Sequence, residues 1–211
     1  MKISQAEKDN IFSMIRDAFD FSFKDRSVCD AFHELDLYSR GFEYENGASK
    51  YCIMHDDFGD FVVKFTTEKF DWCEREYTNY LAAVERGLGE FFPFTDFLGY
   101  YNGVSFFIQE RADCDEDGVS SIWYSALRED YVTEEEDENE DIISEKIWDM
   151  IDELEDEQRA MYCFGNKIAL FDFLDEFCIN DLHQGNFGYV DGKLVIIDFS
   201  GYGNVARERD V

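Results

Sequence analysis

Apolar residues recur along the first part of the chain with a helical period. Ser4 and Glu7 have the spacing of a capping box, and Ile11, Ile15, Ala18 and Phe19 then fall on one face, which predicts a helix from residue 4 to about 20. A second apolar stretch surrounds Phe32, Leu35 and Leu37. From Gly41 the period shortens to two. Phe42 and Tyr44 alternate with acids, Asn46-Gly47 marks a turn, and Tyr51 to Met54 is a short apolar run. Asp56 to Gly59 is a second turn, and Phe61 to Phe65 reads as a third strand. Helical spacing returns over 71–86, with Trp72, Glu76, Tyr80 and Ala83 near one face and Gly87 and Gly89 at its end. Strands near Phe97 to Tyr101 and Val104 to Gln109, joined at Asn102-Gly103, complete an expected five-stranded antiparallel sheet.

Beyond the sheet the pattern is mostly helical. Glu134 to Asp141 has no apolar period, whereas Ile143, Ile147, Met150, Ile151 and Leu154 form a stripe with acids opposite. Another helix is expected through Ala169, Leu170, Phe173 and Leu174. Two final strands, Phe187 to Val190 and Leu194 to Ile197, flank a turn at Asp191-Gly192. The expected class is therefore α+β. Residues 1–40 form an N-terminal helical extension, 41–112 a sheet-bearing lobe, and 113–211 a mostly helical lobe that carries the acidic segment 129–157.

Composition narrows the partners. The 211 residues include 49 acids against 19 bases, a net charge of −30. Such a surface repels nucleic acid and anionic lipid, since phosphate recognition needs clustered Lys and Arg. It suits solvation, or a basic protein partner. The 18% of aromatic residues supplies ample core. Six cysteines at 29, 52, 73, 114, 163 and 178 form no CxxC pair, which argues against a zinc site and fits reduced cytoplasmic thiols. The start MKISQAEKDNIF lacks the apolar run of a signal peptide, and no apolar stretch approaches membrane-spanning length.

The densest chemical signal runs from Asn180 to Ser200. Asp181 precedes Asn186 by five positions, a hairpin follows, and Asp198 comes after Val-Ile-Ile. Each acid or amide alone reads as an ordinary turn or strand-end residue. In this order they resemble the catalytic centre of the protein-kinase-like superfamily, where an Asp, four residues, an Asn and then Asp-Phe-Gly recur. The Leu-His-Gln-Gly-Asn wording is closest to the aminoglycoside and choline phosphotransferase branch, and is similar to small kinases of tailed phages. His183 has no second ligand-type residue at metal spacing and reads as a structural hydrogen-bonding group.

The resemblance implies a two-lobed kinase-like fold whose second lobe is reduced, and an ATP- and Mg²⁺-dependent phosphotransferase. Asp181 would orient or deprotonate the attacking hydroxyl, and Asn186 and Asp198 would hold the metal. Val62-Val63-Lys64 resembles the strand whose lysine grips the α- and β-phosphates, and a lysine between apolar residues needs an anionic partner when buried. Glu76 is the preferred partner because it shares the apolar face of its helix, with Glu74 as runner-up. Gly47, Ala48 and Ser49 form either a plain hairpin turn or a loop whose backbone amides cradle phosphate. Glu110, after the strand Phe106 to Ile108, falls where the family's hinge meets adenine.

Two departures stand out. Ile179 occupies a position where the family usually has His, and Ser200 replaces the glycine of Asp-Phe-Gly. Thirteen residues follow Asp198, so the peptide-binding helices of protein kinases are not expected. A protein hydroxyl is then the expected acceptor, in the cytoplasm, or in a host cytosol for a phage or secreted-effector protein. The competing expectation is a pseudokinase or acidic inhibitor that binds a basic host protein surface.

Overall fold

The computed structural model describes residues 3–19, 27–47, 50–67, 70–114, 167–180, 182 and 184–201. The chain divides into two compact units, Met1–Ala82 with Pro93–Arg111, and Ala83–Phe92 with Ala112–Val211.

The first unit opens with helix α1, Gln5–Ala18, whose capping box is complete: the Ser4 side chain accepts from Glu7 N, and the Glu7 carboxylate accepts from Ser4 N at 2.8 Å. A short helix α2, Val28–Glu34, follows under a Ser27 cap. Strands β1 (Glu43–Asn46), β2 (Tyr51–Met54), β3 (Phe61–Phe65), β4 (Thr95–Tyr101) and β5 (Val104–Glu110) build one antiparallel sheet in the order β1-β2-β3-β5-β4. Helix α3, Trp72–Glu85, lies in the chain between β3 and β4. The class is α+β, with the five-stranded antiparallel sheet that the sequence pattern predicts.

The two central strands are buried on both faces, so the side-chain alternation of a strand sorts residues between two layers. Phe61, Val63 and Phe65 of β3, with Phe106 and Ile108 of β5, join Ile11, Ile15 and Phe19 of α1 and Phe32 of α2 in one apolar cluster. Full burial of each Phe contributes roughly 1.5–3 kcal/mol. Helix α1 approaches β4 so closely that a Cβ on Gly99 would sit 2.4 Å from the ring of Phe12, next to a bulge between Phe97 and Gly99. The opposite face carries the intervening residues Lys64, Phe107 and Gln109. There Tyr77 of α3 packs on Phe107, with ring centres 5.7 Å apart.

In the second unit, β6 (Asp113–Cys114), β7 (Phe187–Val190) and β8 (Lys193–Ile196) form a three-stranded antiparallel sheet in that order. The β7–β8 turn uses Asp191 and Gly192, both at positive φ. Helix α4, Lys167–Glu176, precedes it and buries Leu170, Phe171, Phe173 and Leu174. Phe92 packs between Phe173 and Phe199, at ring separations of 5.7 and 4.7 Å. The acidic segment 129–157 lies outside the described residues. Among the described residues, no helix is long and apolar enough to cross a membrane.

Candidate functional site

Glu76 is 1% exposed, on the face of α3 that meets the sheet. An ionised carboxylate at that depth is costly unless its oxygens are bonded. Lys64 Nζ lies 2.7 Å from Oε1, and Gln109 Nε2 donates to the same oxygen at 2.8 Å. Lys50 Nζ bonds to Oε2. Behind them, Gln109 also donates to Thr95 Oγ1 at 3.0 Å, and Thr95 donates to the carbonyl of Pro93 at 3.0 Å. The carboxylate is thus fixed from β3, from β5 and from the residue just before β2. Lys64 and Glu76 are brought together, while the runner-up Glu74 is exposed. Helix α3 is fixed at its start by Asp71, whose Oδ1 accepts from the backbone of Cys73 at 3.1 Å and of Glu74 at 2.9 Å.

Two thiols border this cluster. Burial pushes Cys52 up to about 11 against the opposing pull of Lys64. Burial, followed by the nearby charge of Glu76, raises Cys73 well above its ordinary value. Both thiols are therefore held neutral and are poor nucleophiles at physiological pH.

The neighbouring expectations fare unevenly. Gly47 donates its amide to the Lys50 carbonyl at 2.9 Å, closing the β1–β2 turn. Ala48 and Ser49 lie outside the described residues. Glu110 is buried, and its amide donates to the Phe94 carbonyl at 2.8 Å, while Arg111 N donates to Asp60 O at 2.7 Å. These two amides are committed within the first unit.

A second cluster sits in the second unit. Gln184–Asn186 forms a single 3₁₀ turn leading into β7, and Asn186 is buried at 7% exposure. Ile197 N donates to Asn186 O at 2.9 Å, which extends the β7–β8 ladder and brings the backbones on either side into register. Asp198 follows directly, half-buried, and accepts from Ser200 Oγ at 3.4 Å. Phe199 is fully buried. The positive φ of this segment falls on Gly201, at +72°, where a Cβ would lie 2.5 Å from the Phe177 carbonyl. The glycine needed here therefore sits one position later than Asp-Phe-Gly would place it. Ile179 is buried as the apolar anchor of the α4 end, its amide donating to Leu174 O at 2.8 Å. Asp181 and His183 lie outside the described residues.

An amide oxygen and a carboxylate are hard donors, the set that Mg²⁺ prefers. No group of three His, Cys, Asp or Glu with metal-holding geometry occurs among the described residues, so the soft-ligand sets of structural zinc are not found there.

No family model matches the sequence. No curated protein matches it either. Among solved structures the chain is similar to APH(2'')-IIa, an aminoglycoside phosphotransferase, in a ternary complex with streptomycin and ATP. The identity is 12% and the TM-score 0.29, over 78% of this chain and 68% of that one. At that distance the likeness assigns no activity.

Proposed function

We propose that this chain is an ATP- and Mg²⁺-dependent phosphotransferase of the kinase-like type, acting on a hydroxyl of a protein. The observation that carries the reading is the buried Glu76 held by Lys64 from the central strand of the sheet. A lysine ion-paired to a fixed carboxylate in a low-dielectric site holds its Nζ at one place, where attraction for anionic oxygen is stronger than in water. ATP would bring the phosphoryl group, and Mg²⁺ would offset its negative charge. Lys64 then serves to bind phosphate oxygens, and Glu76 to hold the ammonium in position. Asn186 Oδ1 and the Asp198 carboxylate supply metal ligands. Asp181 takes the proton of the attacking hydroxyl.

The test separates binding from chemistry. ATP with Mg²⁺ should raise the melting temperature of the chain, and Asp198→Asn should remove most of that rise. Asp181→Asn should keep it while lowering phosphate transfer to acceptors in a host lysate by about 10²- to 10⁴-fold, the usual worth of a general base. Absence of any nucleotide shift in the native chain would overturn the proposal and favour the pseudokinase or acidic-inhibitor reading, for which the net charge of −30 is the supporting observation.

A further inference from the structure

Gln109 lies inside the protein at 2% exposure, where an apolar residue would cost less to bury. Val62 faces it across the β3–β5 ladder, so by strand alternation it shares the face that carries Lys64. Thr95, its partner across the β4–β5 ladder, is 3% exposed. The hydrogen bonds that join these residues can run in one direction only. An ionised carboxylate oxygen accepts and cannot donate, so the Gln109 atom 2.8 Å from Glu76 Oε1 is the amide nitrogen. The same nitrogen donates to Thr95 Oγ1 at 3.0 Å, and the Thr95 hydroxyl donates to the Pro93 carbonyl at 3.0 Å. Acceptors at both ends, the carboxylate and the carbonyl, fix the order of the donors between them. Lys50 and Lys64 also reach Glu76, but an ammonium is a compact charge whose N–H groups rotate, and it can approach a carboxylate oxygen from many directions. A planar amide donates along fixed directions, so Gln109 makes the directional contact of the three.

We infer that Gln109 is a positioning residue: its amide orients the Glu76 carboxylate on which Lys64 is held, and Thr95, anchored to the Pro93 carbonyl, holds that amide. The relay thus orients Glu76 from β4 as well as from β5. The inference rests on the nucleotide reading only for the ligand, ATP, whose affinity reports the placement of Lys64.

Two variants of Thr95 leave Glu76, Gln109 and the lysines in place and separate hydrogen bonding from packing. Thr95→Val keeps the volume and removes the hydroxyl, whereas Thr95→Ser keeps the hydroxyl and removes the methyl group. In the full chain labelled with ¹³C at its glutamate carboxyl groups, the Glu76 signal is assigned by its loss in Glu76→Gln. Calorimetry with ATP and Mg²⁺ gives the affinity. Thr95→Val should shift the Glu76 signal and lower ATP affinity about three- to tenfold, the scale of one lost hydrogen bond, and Thr95→Ser should recover most of both. Gln109→Met should lower the affinity about tenfold or more, and adding Thr95→Val to it should lower it no further, because the relay is already cut. A Glu76 signal unmoved by Thr95→Val, or Thr95→Ser as harmful as Thr95→Val, would overturn the inference. A moved signal with unchanged ATP affinity would overturn the positioning role and leave the nucleotide reading standing. A native chain that binds no ATP overturns that reading alone, and the Glu76 signal in the two Thr95 variants then decides the relay.

Discussion

Glu76 is the buried side chain on which the ion-pair cluster of the sheet depends. Replacing it with Ala leaves Lys50 and Lys64 without the carboxylate that holds them, and removing one partner from a buried ion pair costs about 3–5 kcal/mol. Replacing Lys50, Lys64 and Glu76 together by Met removes the charges along with their partners, so the triple variant should be more stable than Glu76→Ala while binding no anion. Urea unfolding measures both, and a triple variant as unstable as Glu76→Ala would show that the cluster is needed for the fold itself. The thiols give a second check at this scale. At pH 8 a thiol raised to about 11 is ionised in roughly one molecule in a thousand, so Cys52 should resist a thiol reagent, as should Cys73. Cys29, which is exposed, should react faster than either. Rapid native-state labelling at position 52 or 73 would contradict the packing around Glu76. The pairing of Glu76 with Lys64 was legible because helical spacing put Glu76 on the apolar face. The contact of Lys50 with Glu76 was not, since it depends on a strand register that the β1–β2 turn sets and the sequence pattern leaves open.

At the scale of elements, legibility followed from whether a conformation demands a particular residue. Asn102 and Gly103 lie at φ of 50° and 84°, and Asp191 and Gly192 at 51° and 73°, values that Asn, Asp and Gly adopt most readily, so both hairpins stand out in the sequence. Gly87 ends α3 for the same reason, with Leu88 N donating to Ala83 O at 2.8 Å and Gly87 N to Val84 O at 3.1 Å. Helix α2, of seven residues, is too short to establish a period, and the two residues of β6 carry no pattern at all. The end of α4 was hidden differently. Cys178 takes the left-handed position, at φ 54°, with Cys178 N bonded to Asp175 O at 3.1 Å and Ile179 N to Leu174 O at 2.8 Å. This is the hydrogen-bond pair that usually surrounds a glycine, but no glycine announces it. Cys178→Gly should therefore stabilise the protein by about 1 kcal/mol, since the left-handed conformation costs a side-chain-bearing residue roughly 1–2 kcal/mol. An unchanged or lower unfolding free energy in denaturant would mean that the Cys178 side chain contributes packing worth more than the strain.

For the whole molecule the dominant physical fact is charge, and its distribution is uneven. Residues 129–157 hold sixteen acids and one base, half of the net −30. Ionised carboxylates on one surface repel one another, and water, counterions or a basic partner must relieve that repulsion. We propose that this segment docks a basic protein surface and takes no part in the lysine–glutamate cluster around Glu76. Association driven by such a face should be fast at low salt and weaken steeply as ionic strength rises past the point where the Debye length is about 10 Å. Changing Glu134, Glu135, Glu136, Asp137 and Glu138 to their amides removes five charges without altering shape. On the proposed function ATP binding should persist in that variant, because Lys64 and Glu76 belong to a different part of the chain. Capture of a lysine-rich protein such as a histone-like or ribosomal-protein bait should fall by about tenfold or more at low salt and lose most of its salt dependence. Capture that is unchanged, or that does not respond to salt, would leave the acids as a solvated surface. Loss of ATP binding in the same variant would instead tie the acidic segment to the catalytic reading.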